Sequence, residues 1–202
     1  MAERSSLVRL QREHEVELVW VGYELHPETP PGGVAVAEHF RDAEGMHAYV
    51  KSFAAGFGIL DLSPPARLAN TRRVLAVAEH ARHEGKLGAF NAAAYDAYWR
   101  HGEGIESDAE LAALARRAGL DPEAAVTAAR DPALLARVDA ARDEAMRAGV
   151  TGVPTFEVEP EAPGGSRMAS RVVGCQRYEV LVDAVRRAGA RKRESPPPAG
   201  AA

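Results

Sequence analysis

Between Arg4 and His14 the apolar residues Leu7, Val8 and Leu10 recur at helical spacing, which predicts the tail of a helix. The period then changes. Val16, Leu18 and Trp20 alternate with Glu15 and Glu17, so residues 15–25 read as a strand. Pro27 to Gly33 is expected as a loop, because Pro30-Pro31-Gly32-Gly33 can continue neither element. From Val34 to Trp99 the spacing is helical again, broken at Gly56-Phe57-Gly58 and Ser63-Pro64-Pro65. Asn70 or Thr71 is the expected N-cap of the helix that carries Val74, Leu75, Ala78 and Ala81.

Capping chemistry sharpens the second half of the chain. Ser107-Asp108-Ala109-Glu110 has the form of a capping box ahead of Leu111, Leu114 and Ala115. Asp121-Pro122 and Asp131-Pro132 each place an acidic cap before a proline at the first helical position. The run from Asp131 to Ala148 meets Gly149, which suits the left-handed residue past a helix end. Two short strands follow, Thr155–Val158 and Arg171–Val173, with Pro163-Gly164-Gly165 as the turn between them. A helix from Gln176 to Ala188 closes the pattern. Residues 190–202 are polar and proline-rich and are expected to be disordered.

The order predicts an α/β fold: one sheet interrupted by a large helical block, rather than a doubly wound sheet. Its parts would be a core of residues 1–33 and 149–189 and a helical insertion, or lid, over 34–148. At 202 residues, 46% hydrophobic and 27% charged, the chain can bury a real interior. A net charge of −4 gives no bias toward nucleic acid or an anionic membrane. No apolar run reaches spanning length, and Met1 to Ser6 shows no secretory leader, so a cytoplasmic setting is expected. The one cysteine, Cys175, excludes an internal disulfide framework.

Several motifs carry a family resemblance: Trp20-Val-Gly-Tyr-Glu-Leu-His-Pro27, the Asn70-Thr71 helix start, Tyr95 with Trp99, and Gly119-Leu120-Asp121. Gly149-Val-Thr-Gly-Val-Pro-Thr-Phe156 and Val173-Gly-Cys-Gln176 complete the set, the former being the most specific. On these residues the chain resembles the DsbA family of thioredoxin-like oxidoreductases. The likeness is to its cytoplasmic branch, which includes polyketide-cluster oxidoreductases, 2-hydroxychromene-2-carboxylate isomerases and kappa-class glutathione transferases. The resemblance implies a thioredoxin-like sheet with an all-helical insertion, and a cis-proline loop at Val153-Pro154 that faces substrate. Relatives begin with a central strand and a Cys-x-x-Cys motif or a Ser-containing equivalent; here the chain starts inside the helix that follows, so that motif would fall before Met1. Relatives also often carry a histidine shortly after the Asn-Thr pair, where this chain has Val74-Leu75. Where this chain has Cys175, relatives usually place a small or polar residue.

The substrate-binding candidates are therefore Thr151, Gly152, Val153 and Pro154 as a backbone clamp and Cys175 and Gln176 at the start of the last helix. Tyr23, Tyr95 and Trp99 are the apolar walls. A helix N-terminus would favour the Cys175 thiolate, although a small buried filler at a strand-to-helix corner is the commoner role for such a residue. No catalytic residue is assigned. His80 and His83 lack a third ligand at supporting spacing, so no metal site is assigned either. Three readings follow from the resemblance. The first is a thiol–disulfide oxidoreductase homologue without its dithiol. The second is a glutathione-dependent isomerase or transferase, with glutathione as ligand. The third is a non-catalytic module that takes an extended peptide or a partner's strand. Partners are expected to be peptide or small-molecule thiols and disulfides, or a second copy in a homodimer, with neither nucleic acid nor membrane.

Overall fold

A computed structural model describes residues 4–160 and 169–194. The chain divides into two compact units, one formed by residues 1–21 with 149–202 and the other by Gly22–Ala148. No helix among the described residues is long and apolar enough to cross a membrane.

In the first unit, α1 (Arg4–Glu13) buries Leu7 and Leu10, one turn apart on its inner face. They pack against Leu181 and Val185 of α9 (Tyr178–Arg187). The antiparallel pair β3 (Thr155–Val158) and β4 (Ser170–Val173) adds Phe156, Val158 and Val172 to the same core, in the register Thr155↔Val173 to Val158↔Ser170. Alternation does this work: inward residues meet the helices while Glu157 and Arg171 stay outside and pair at 2.7 Å. The Tyr178 hydroxyl donates to Glu13 at 2.9 Å, and the Arg9 guanidinium lies 3.9 Å over the Tyr178 ring.

The second unit is helical. It opens with β1 (Val34–Ala35), α2 (Val36–His39) and α3 (Ala43–Ala55), followed by β2 (Arg67–Leu68), which pairs antiparallel with β1. Then come α4 (Arg72–His83), α5 (Leu87–Tyr95) and a π-helical turn over Asp96–Arg100. Three capped helices finish it: α6 (Asp108–Arg117), α7 (Pro122–Ala128) and α8 (Pro132–Arg147). Val77, Phe90, Leu111 and Leu114 centre its main core, and Ala76, Leu134 and Val138 seal α4 against α8. The capping box forms as expected, with Ser107 accepting from Glu110 and Glu110 accepting from Ser107. Asp121 and Asp131 accept from Ala124 and Ala133. α3 is the outlier, with Ala54 its one buried residue and Tyr49 stacked on Phe53 at the surface.

The structure differs from the sequence expectations in four places. Residues 15–25 form no strand. Val16 and Leu18 do pack on the first unit's core, but no strand among the described residues pairs with the segment, so the alternation records one-sided burial rather than a ladder. The helical run from Val34 is interrupted by the two-residue strands β1 and β2. The last helix begins at Tyr178 rather than Gln176. Residues 191–193, expected to be disordered, hold backbone hydrogen bonds to the end of α1. The Pro163-Gly164-Gly165 turn lies outside the described residues.

Candidate functional site

Gly149, at φ 76°, stops α8 and turns the chain toward β3. The Val153–Pro154 peptide bond is cis. Thr155 Oγ1 donates to the Gly152 carbonyl at 2.7 Å and closes the loop on itself, leaving Val153 49% exposed. The Pro154 carbonyl accepts from the Gly174 backbone N–H at 2.8 Å. That bond continues the β3–β4 pairing one step past its end. The loop bearing Thr151, Gly152, Val153 and Pro154 thereby adjoins the turn bearing Cys175 and Gln176.

Gly174, at φ 76°, makes that turn, and the Gln176 side chain folds back to donate from Nε2 to the Val173 carbonyl at 2.8 Å. Cys175 is half-buried and sits two positions before Arg177, the N-cap of α9. It is therefore outside the helix rather than at its first turn. The macrodipole acts within the first turn and does not single out this thiol.

The three aromatic candidates belong to the second unit. Tyr23 is half-buried in the loop that precedes β1. Tyr95 ends α5; its residue surface is 38% exposed, while desolvation raises its phenol above the ordinary tyrosine value. Trp99 lies in the π-helical turn with its ring edge-on to Tyr98 at 5.2 Å, and its carbonyl accepts from Ser63 N–H at 2.7 Å. Helices of this kind occur mostly as single turns, frequently at functional sites. Among the described residues no three His, Cys, Asp or Glu side chains gather as a metal site.

Sequence reasoning passed over the residues that fix the Pro27–Gly33 loop. Glu106 accepts from Gly32 N–H at 2.8 Å and from Asn70 N–H at 2.9 Å. The Asn70 amide donates to the Thr29 carbonyl at 2.6 Å, while its oxygen accepts from Arg72 N–H at 3.0 Å. Asn70 thus does the capping, and Thr71, at the N-cap position, makes no side-chain cap bond. Arg67 donates to the carbonyls of Gly32 and Gly33, and the Tyr98 hydroxyl donates to the Arg67 carbonyl at 2.9 Å. One signal was available: a Pro-Pro-Gly-Gly loop has backbone groups that no regular element satisfies, so side chains must reach them.

A solved structure from Streptomyces coelicolor, titled as a probable DsbA oxidoreductase, is 25% identical. It superposes with a TM-score of 0.69 over 86% of this chain and 75% of that one. No protein of curated function matches the chain. The DSBA-like thioredoxin domain profile matches residues 2–186, nearly the whole sequence. The α/β, thioredoxin-like architecture with an all-helical insertion, expected from the sequence, is the fold of this molecule. With that match running from before α1 into the last turn of α9, the chain belongs to the DSBA-like thioredoxin domain family.

Proposed function

We propose that this chain is a DsbA-type thiol–disulfide oxidoreductase homologue that positions an extended peptide or a small thiol. On this reading it does not complete a two-thiol exchange cycle within its 202 residues. The observation that carries the reading is the Gly174–Pro154 backbone bond, which holds the Thr151–Pro154 loop beside the chain's one thiol. In the full cycle one thiolate attacks a disulfide and a second thiol releases the product. A single thiol supports the first step and not the intramolecular second. Val153 and Pro154 would supply the backbone clamp, with Thr151, Gly152 and Gln176 around it; Tyr23, Tyr95 and Trp99 stay candidates for apolar contact. A cytoplasmic setting fits a chain with one cysteine.

Reduction of insulin by dithiothreitol tests the claim, with the protein expected to give no catalytic acceleration. Turnover typical of a dithiol enzyme would overturn it. Calorimetric titration with reduced glutathione separates the ligand classes. Saturable heat at millimolar concentration supports the glutathione-dependent isomerase or transferase form of the reading, and its absence leaves the peptide form.

A second reading has its own observation. Among the described residues Val16 to Val19 joins no strand ladder, and β3 pairs there on one side, with β4. Both border the core of Leu7, Leu10 and Leu181. Such edges accept an added strand, from a peptide or from a second copy of the chain. A monomer at high concentration whose residues 16–21 and 155–158 resist amide exchange would count against strand capture.

A further inference from the structure

His14 follows α1 and is 2% exposed, yet neither ring nitrogen has a hydrogen-bond partner among the described residues. A neutral imidazole keeps one N–H, and its other nitrogen accepts. Both are stranded here. Around this ring the C-terminal segment fastens to the end of α1. His14 forms an antiparallel bridge with Lys192, Glu15 N–H donates to the Arg191 carbonyl at 2.8 Å, and Arg193 N–H donates to the Glu13 carbonyl at 2.8 Å. Arg193 Nε also reaches the carbonyls of Gln11 and His14, each at 3.0 Å. It thereby caps the Gln11 carbonyl, one of those that a helix end leaves unmet.

We propose that His14 is a proton-operated latch: neutral, it lets residues 191–193 clasp the end of α1, and protonated, it releases them. Among the described residues the backbone acceptor that favours an imidazolium here is the Leu10 carbonyl, which makes no hydrogen bond of normal geometry with the ring and acts more weakly than burial and the neighbouring charges. The cations facing it are Arg186 from α9 and Lys192 from the clasp, and both disfavour a second positive charge. Among the described residues the anion that acts on it most is Glu13 of α1, whose carboxylate is engaged by Arg9 at 2.7 Å and by Tyr178 at 2.9 Å. Desolvation is the largest influence, and with the cations it holds the His14 pKa below the ordinary histidine value. The sign follows: the clasp is intact above the unperturbed value, about 6.5, and is lost as pH falls from there toward the lowered folded value. Opening lets the ring reach water and take the proton.

Amide exchange on the full chain, expressed as protection factors, tests the latch. Between pH 7.5 and pH 5 the amides of Glu15 and Arg193 should lose about 30-fold in protection, the ratio set by a group of ordinary pKa protonating only when open. Those of Val77 and Leu111 should hold. His14→Phe should make the Glu15 and Arg193 values independent of pH, and Arg193→Ala should lower them at both pH values. Constant protection in the wild type overturns the proposal, as does an acid loss that persists in His14→Phe or one shared by Val77 and Leu111. Should His14→Phe fail to fold, the ring titration of wild-type His14 by NMR decides. A midpoint at the ordinary value or above, with Glu15 still protected, overturns the latch; a midpoint coincident with the loss of protection supports it.

Discussion

Gly33 turns the chain at φ 68°, and a Cβ built on it would lie 2.5 Å from the Leu68 carbonyl oxygen. A backbone oxygen in the β1–β2 pair cannot swing aside as the end of a flexible side chain can. Gly33→Ala therefore combines left-handed strain with a displaced strand pair, and should cost about 2–3 kcal/mol in a denaturant titration. Gly32 has φ 85° but open space around it, so Gly32→Ala should cost about 1 kcal/mol, from backbone strain alone. Equal costs would show that the Leu68 contact does not matter. The turn itself was legible in Pro30-Pro31-Gly32-Gly33. Its anchor was not: Glu106 lies 74 positions beyond Gly32 and carries no local mark that it would close that loop. Cys175 shows the same limit at closer range. The turn at Gly174 was readable, yet whether the helix began at Gln176 or at Tyr178 decided whether the thiol met its dipole.

Helix starts were the most legible elements, because a cap needs only its own neighbours. Ser107 with Glu110, Asp121 before Pro122 and Asp131 before Pro132 all form the bonds that their sequence spells. A strand is different, since its hydrogen bonds belong to another segment, and the alternation of Val16 and Leu18 could not reveal that no described strand pairs with them. Pairing between helices is equally non-local. The Arg72 guanidinium of α4 bonds both oxygens of Asp139 on α8, at 2.6 and 2.8 Å, and also reaches Glu24 at 3.3 Å, whose side chain is 4% exposed. Arg72→Met would leave that carboxylate buried without its cation and should cost about 2–3 kcal/mol. Adding Glu24→Gln should recover part of the loss, and a double-mutant cycle measures the coupling. Acid acts on the same clamp. Hydrogen bonds from Arg72 hold Asp139 below its ordinary carboxylate value, so its contribution is present above the unfolded pKa and is lost as pH falls through the folded one. Asp139 is 53% exposed, and solvent screening keeps that contribution small.

At the scale of the molecule, each described core cluster lies within one unit. The clusters around Phe90 and around Leu134 draw every member from residues 69–138, inside the second unit. The cluster around Leu7 and Leu181 draws its members from residues 7–18 and 156–190, so its two halves meet only because the chain returns. A unit that is continuous in sequence and holds its own core has what independent folding requires. Residues 22–148, expressed alone, should therefore keep their helical circular dichroism and melt in one cooperative transition. In that fragment Phe90→Ala, which empties a fully buried site, should cost about 3–5 kcal/mol and abolish or sharply lower the transition. In the whole chain the same substitution should leave the exchange protection of the Leu7 and Leu181 amides unchanged. Non-cooperative melting of the fragment, or loss of protection at Leu7 and Leu181 in the whole-chain variant, would mean that the units stabilise one another and fold as a single body. The distinction bears on function: if the insertion folds by itself, substitutions within its core can be made without disturbing the Val153-Pro154 loop and Cys175.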